Sequence, residues 1–459
     1  MMRGNEQEPS LKEKRRCAMK MPPPAPSSEG AVIKYVCGID IGSQCCVGCI
    51  CRPDKSVVIK SITFANAREG WQIWEEKLKQ LDAPAGEILI GMEATSRYGE
   101  NLYQELEQRG YVLRLFHPGQ THHFHQQRGL RAKTDRLDAM TIARALLSGE
   151  ARMGYVPDEQ VATYRELVRL HTQLSDTAAS YQNEIQALVV VLFPEFTQVS
   201  ADPCLPTALA VLKAFPSAQA LVEAGVEPLY QVLRAQPVAH YGRPTAEKLV
   251  ALAKQSVSSG RARAGRSTSL RILCDQLEHT QANLARLNTE IEQLLNTDPG
   301  VKGLQQVPEF GPKTLAVLRA ELGDVQRFSR IDEVIAYGGM DIEIKESGLW
   351  KGKAKLSKHG SGLLRRVLYM SALRCIHRKE SAFGAYYQRL VQRGLKKGSA
   401  LMAVMRKMLA VAAHLLMHED EEYDRSLVCG SAAGELAGQL ARSAPTAGDP
   451  FAQRFKATA

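Results

Sequence analysis

No run in this chain approaches the ~18 uninterrupted apolar residues that a membrane-spanning helix needs. The best stretch, residues 402 to 417, is broken by Arg406, Lys407 and His414. Near the start, Arg3, Glu6 and Glu8 stand where a leader would place apolar residues. No secretory signal is therefore expected, and the chain is read as cytoplasmic with no membrane partner. A second C-x-x-C is also missing. Cys46 and Cys49 have that spacing within the cluster Cys45, Cys46, Cys49 and Cys51, but nothing completes a zinc site. In a reducing compartment no disulfide framework is expected. The cluster reads as thiols packed in a buried strand, where cysteine acts as a small hydrophobe. Global disorder is excluded as well, because 44% of the residues are hydrophobic and 24% charged. At roughly 150 residues per domain, the 459 positions suggest about three folding units.

Acids are nearly absent from one window. Between residues 345 and 407 there are sixteen Lys and Arg against Glu346 and Glu380 alone, a net of +14. The whole chain carries +10, so the remainder nets −4. A generally basic protein spreads its charge; this one concentrates it. Such a patch suits a polyphosphate partner, where neutralised phosphates release counterions.

The order of segments gives the architecture. Residues 1–30 read as a disordered tail, basic and then proline-rich. Residues 31–155 alternate apolar runs with helical spacing: strands at 35–41, 47–51 and 56–62, a helix at 67–81, a strand at 87–92, a helix at 100–108 and a strand at 112–116. Three strands, helix, strand, helix, strand is the order of an α/β ribonuclease H-like (RuvC-like) fold. Residues 156–300 form a helical middle, with long amphipathic stretches at 161–192 and 270–295 expected to pair as an antiparallel coiled coil or against a second subunit. An insertion at 196–266 ends in an exposed loop with Arg261, Arg263 and Arg266. Residues 301–422 make a mainly helical, all-α C-terminal domain. Its segment 307–314 is helix-hairpin-helix-like, with a helix N-terminus that offers N–H groups to a phosphate, or else an ordinary helix corner. A short polar segment surrounds Ser347. Residues 423–459 are a second disordered tail.

Four acids carry the chemistry. Asp40 ends the first strand in Gly38-Ile39-Asp40, and Glu93 ends the fourth after Gly91-Met92. A carboxylate in an apolar run is costly unless paired or metal-bound. In a ribonuclease H-like sheet these strands are neighbours, so both acids project together. Asp135 and Asp138, three apart at a helix start, share a face. Four converging carboxylates call for divalent cations, and oxygen-only ligands favour Mg²⁺ or Mn²⁺ over zinc. Two such ions about 4 Å apart clamp the attacking and leaving oxygens of a phosphodiester. The histidines His122, His123 and His125 are assigned no role.

These residues resemble the DEDD-type insertion-sequence transposases, the IS110 family, whose N-terminal domain is similar to the Holliday-junction resolvase RuvC. The resemblance rests on the order Asp40, Glu93, Asp135, Asp138 with Ala132-Lys133-Thr134-Asp135-Arg136-Leu137-Asp138-Ala139 intact. It continues through Val307-Pro308, Gly311-Pro312, Ala336-Tyr337-Gly338-Gly339, Glu346-Ser347-Gly348, Leu356-Ser357-Lys358 and Gly360 with Leu364-Arg365. It covers about residues 35 to 418. Glu309-Phe310 replaces the family's usual Gly-Ile, and the segment 196–266 is longer than in the shortest members. The resemblance implies that Ser347 attacks a DNA phosphodiester and holds the strand as a phosphoserine, with the carboxylate and serine sites acting together across subunits. It also implies DNA partners (element ends and target), a structured guide RNA encoded by the element, and a homo-oligomer, dimer or tetramer. A serine nucleophile needs a base or metal beside it and positive charge for the developing phosphorane. Lys345, Lys351, Lys353, Lys355, Lys358, Arg365 and Arg366 are the candidates for holding nucleic acid. Two other readings compete: a metal-dependent RuvC-like endonuclease or junction resolvase using the four carboxylates, and a non-enzymatic DNA-binding scaffold that leaves those carboxylates unexplained.

Overall fold

The computed structural model describes residues 32–93, 97–116, 135–148, 155–236, 241–343, 346–347, 350–351, 355–378, 380–418 and 420–429. The chain divides into two compact units, Met1–Val156 and Pro157–Ala459.

In the first unit, apolar runs bounded by turn residues form a five-stranded mixed sheet. Its strands are β1 (Tyr35–Ile41), β2 (Cys45–Cys51), β3 (Val57–Ala65), β4 (Ile88–Glu93) and β5 (Val112–Phe116), in the order β3-β2-β1-β4-β5. Strands β1, β2 and β3 are successive antiparallel neighbours, whereas β4 pairs parallel with both β1 and β5. The first and fourth strands are thus adjacent, as expected. Helices α1 (Arg68–Lys79) and α2 (Glu100–Gln108) supply the crossovers. Trp74, Leu78, Leu102 and Leu106 bury their apolar stripes against Ile39, Ile50, Phe64 and Ile90 on one sheet face. The opposite face is covered by α3 (Asp135–Ser148), where Ala139 and Ala143 pack on Val47, Cys49 and Cys51. Cys37, Cys46, Cys49 and Cys51 are buried free thiols, and Cys45 is exposed. No disulfide joins any described residues.

In the second unit, α4 (Glu159–Leu192) and α9 (Arg263–Thr297) run antiparallel. Tyr164 and Val168 at the start of α4 share a core with Ile291 and Leu295 at the end of α9. Between them, His171 Nε2 lies 2.9 Å from Asn288 Oδ1, a polar pair inside the apolar seam. The other ends enclose a second core with α5 (Pro206–Ala214), α6 (Ala218–Ala224), α7 (Val226–Arg234) and α8 (Arg243–Lys254). The insertion is therefore a helical cap on the pair. Arg263 and Arg266, expected in a loop, lie in the first turn of α9 after Ala262 at φ 52. The left-handed turn at Ala262 lets the helix begin earlier than its apolar stripe indicates.

The C-terminal part builds the first of these cores with α10 (Lys302–Gln305), α11 (Pro312–Leu322), α12 (Ile331–Tyr337), α13 (Gly362–Cys375), α14 (Ala382–Gln392), α15 (Lys397–Met417) and α16 (Ser426–Cys429). Helix α15 is long and apolar enough to cross a membrane, yet 72% of its most apolar window is buried against the rest of the unit. It is the core helix here. The domain is mainly helical, as expected, and among the described residues the polar segment around Ser347 holds four two-residue strands: β6 (Ile342–Glu343), β7 (Glu346–Ser347), β8 (Trp350–Lys351) and β9 (Lys355–Leu356). Strand β6 pairs with β9 outside the β7–β8 pair, so the strands nest as one hairpin. The register sets Glu343 opposite Lys355 and Glu346 opposite Lys351. That pairing hides in a sequence that reads merely as polar.

Candidate active site

The carboxylate site is built on a pair of glycines. Gly38 of β1 stands in register with Gly91 of β4. A Cβ on Gly38 would lie 2.1 Å from the Ala139 carbonyl oxygen and 2.6 Å from the Ala143 nitrogen. A Cβ on Gly91 would meet Leu146 at 2.7 Å and Ile142 at 3.0 Å. Both positions therefore face α3, and the missing side chains let that helix settle on the sheet. Side chains alternate along a strand, so residues two further on share the same face. Those residues are Asp40 and Glu93, both half-buried. Ile39 and Met92 pair just before them, so the two acids are lateral neighbours at the carboxyl ends of parallel strands.

The direction of α3 locates the other two acids. Arg136 Nε donates to Ser61 Oγ at 2.8 Å, beside the Gly48–Ile62 pairing and hence level with Ile39. One turn later Met140 lies against Cys51, with sulfurs 3.7 Å apart, level with Val36. The helix thus runs back toward the start of β1, and its amino end lies toward Asp40. Asp138, half-buried, falls one turn before Ile142, which touches the Gly91 position. Asp135 begins the helix; its side chain lies outside the described residues. Among the described residues no three acidic, histidine or cysteine side chains stand close enough to hold an ion by themselves. The backbone brings Asp40, Glu93 and Asp138 to one edge without closing them on a common point. Their donors are all carboxylate oxygens, the chemistry of Mg²⁺ or Mn²⁺.

Ser347 occupies the inner strand β7, paired with Trp350. The backbones of Ser347, Lys351 and Lys355 are described, but not their side chains. Lys345 and Lys353 fall outside the described residues, as do His122, His123, His125, residues 1–31 and residues 430–459. Residues 423–429, expected to belong to a disordered tail, instead lead into α16, whose Leu427 and Val428 are buried in the core. The remaining basic candidates have definite surroundings. Lys358 is exposed, in the left-handed region at φ 56. Arg365 Nη1 donates to the carbonyls of Gly338 and Gly360, at 3.2 and 2.7 Å. Arg366 makes a two-point ion pair with Asp176 of α4, at 2.9 and 2.5 Å. That pair raises the guanidinium further and holds the Asp176 carboxyl below its usual range. The basic window is not wholly a surface: Lys407 is buried, and burial lowers Arg406 despite the nearby charges of Asp332 and Asp341.

The departure at Glu309-Phe310 is a packing feature. Phe310 stacks on Phe383 with ring centroids 6.4 Å apart, and buried Glu309 Oε1 accepts the Ser381 hydroxyl at 2.7 Å. Both point into the core, so that turn presents its Gly311-Pro312 end outward. Sequence reading missed the part played by Asp341, whose carboxylate accepts the Ser357 hydroxyl. The only sequence signal was the Leu356-Ser357-Lys358 motif itself.

Comparison with known proteins finds matches in both halves of the chain. Residues 37–194 match the DEDD-type IS110 transposase family, described as "Transposase", and residues 301–388 match the "Transposase IS116/IS110/IS902 family". The chain is 26% identical over 291 residues to the "Insertion element IS110 uncharacterized 43.6 kDa protein" of Streptomyces coelicolor, covering 62% of this chain and 71% of that one. It is 23% identical over 283 residues to the "Insertion element IS116 uncharacterized 44.8 kDa protein" of Streptomyces clavuligerus, covering 61% and 70%. It is also 26% identical over 158 residues to the "Pilin gene-inverting protein" of Moraxella bovis, covering 33% and 49%, so it spans about half of that relative. The two family matches follow one another in chain order and together span more than half of the residues: the chain belongs to the IS110 family of DEDD-type transposases and is a DNA transposase enzyme.

Proposed function

We propose that this transposase is a site-specific recombinase of an insertion element, cutting and rejoining DNA through a phosphoserine at Ser347. A carboxylate site of Asp40, Glu93, Asp135 and Asp138 assists it, and RNA encoded by the element directs it to both DNA partners. The observation that carries the reading is the register of Gly38 with Gly91, which sets Asp40 beside Glu93 under the amino end of α3. The strand order with helices on both sheet faces supports a ribonuclease H-like, RuvC-like reading of the first unit. The name of the Moraxella relative, a gene-inverting protein, supports recombination in place of simple hydrolysis. Bound Mg²⁺ or Mn²⁺ would stabilise charge on the attacking and leaving oxygens of the phosphodiester.

The chain's own residues do the rest. Ser347 Oγ gives up its proton and bonds to phosphorus; the bond to the leaving sugar oxygen breaks, and that oxygen takes a proton. The phosphodiester energy is kept in the serine ester, so rejoining by a DNA hydroxyl needs no nucleoside triphosphate. Lys345, Lys351, Lys353, Lys355 and Lys358, together with Arg365 and Arg366, supply charge to the phosphorane and hold nucleic acid. Asp176 must release Arg366 before that guanidinium meets a phosphate. The enzyme acts as a homo-oligomer, dimer or tetramer, in the cytoplasm. Strand cleavage should require Mg²⁺ or Mn²⁺. Asp40→Asn should abolish it while duplex affinity stays within about threefold, since one acid carries little of the phosphate-binding charge. Cleavage retained in Asp40→Asn would contradict the reading.

A further inference from the structure

The neck of the hairpin that bears Ser347 is held by more than its strands. The chain leaves α12 through Gly338 and Gly339, passes Asp341 into β6, and returns from β9 through residues 357 to 360 into α13. Ser357 N–H donates to the Asp341 carbonyl at 3.0 Å, and its hydroxyl donates to Asp341 Oδ1. Lys358 N–H donates to the Gly339 carbonyl at 3.2 Å. Arg365 spans both sides of the neck through its bonds to the two carbonyls. The two backbones touch: a Cβ on Gly360 would lie 2.0 Å from the Tyr337 carbonyl oxygen, and one on Gly339, at φ +66, 2.4 Å from the Gly360 nitrogen. Half-buried Arg406 lies within electrostatic reach of Asp332 and Asp341.

Two-residue strands have few ladder bonds, and an isolated hairpin is marginal in water. The position of a nucleophile on such a hairpin therefore depends on what fixes its base. We infer that Asp341 and Ser357 are positioning residues, forming a clasp that aims the Ser347 hairpin and so sets the rate of strand cleavage without setting DNA affinity. The inference rests on the proposed role of Ser347. A misplacement of about 1 Å at a reacting centre can cost roughly 100-fold in rate, so a side-chain tie at the neck is enough to matter.

The test uses the full chain, with its co-purified RNA, on a supercoiled plasmid carrying the element's own ends. Single-turnover cleavage at saturating protein is measured beside affinity and melting temperature. Ser357→Ala and Asp341→Ala should each slow cleavage about 10- to 100-fold, with affinity unchanged and melting shifted by no more than ~4 °C. Ser357→Thr, which keeps the hydroxyl, should recover the rate, and the double alanine variant should be no slower than the slower single. Asp341→Asn keeps the acceptor and should keep the wild-type pH profile; loss of the acid limb would make Asp341 a proton acceptor and overturn the positioning role. Wild-type rates in Ser357→Ala, or affinity falling in step with rate, would also overturn it. Should Asp341→Ala fail to fold, the Ser357 pair decides alone. Ser347→Ala separates the two ideas. If it still cleaves, the nucleophile and the clasp both fall; if it is dead while Ser357→Ala cuts at full rate, only the clasp falls.

Discussion

An alanine methyl at Gly38 would meet backbone, the Ala139 carbonyl oxygen and the Ala143 nitrogen, and backbone cannot rotate away. At its partner Gly91 the same methyl would meet the tips of Leu146, Ile142 and Phe116, which can shift. Gly38→Ala should therefore lift α3 from the sheet, costing at least the ~1–3 kcal/mol typical of overpacking, while Gly91→Ala should cost less. Urea unfolding of the two variants checks the order; equal losses would mean that α3 yields as a body. Gly38→Ala should also lose cleavage, because Asp138 travels with Ala139. The acids at this site were legible because a carboxylate ending an apolar strand is hard to explain otherwise. The glycines that let the helix reach them were not legible, since a strand glycine carries no mark of which neighbour approaches. Nor was Asp341, whose partner Ser357 is sixteen residues away and reached only once the hairpin closes.

Among the elements, the sheet and the two long helices follow directly from period-2 and period-3.6 patterning, with ends within a few residues of those expected except that α9 begins at Arg263, seven residues before the expected start. The hairpin around Ser347 escaped because its strands are two residues long and half of their residues are charged. Its strand pairing joins residues well apart in sequence, Ile342 with Leu356 at the base, and so leaves no local pattern. The same hairpin carries Lys351 and Lys355, with Lys353 between them in sequence. Replacing all three with Ala should flatten the dependence of log affinity on log salt. The slope should fall by roughly 0.9 for each duplex phosphate that the protein no longer neutralises. A slope that does not change would assign these lysines to a solvated face.

Over the whole molecule, charge and burial have to be read together. The window from residue 345 to 407 concentrates the positive charge, but Lys407 is buried and Arg406 half-buried, so the basic surface is smaller than the count implies. Helix α15 shows the same lesson for hydrophobicity, since an apolar stretch of membrane length serves as the centre of a core. Sequence patterning gives the order of the carboxylate and serine segments; it cannot give the joint act that the recombinase reading requires of them. The most direct measurement is a search for the serine ester itself. Wild-type protein, with its co-purified RNA and Mg²⁺, is incubated with end-labelled DNA of the element's termini, denatured, digested with protease and analysed by mass spectrometry. The account predicts a nucleotide bound to the peptide containing Ser347, and no adduct or cleavage from Ser347→Ala. A hydrolytic resolvase would use water, leave no adduct and tolerate the alanine. Robust cleavage by Ser347→Ala, with every cut strand free of protein, would contradict the account.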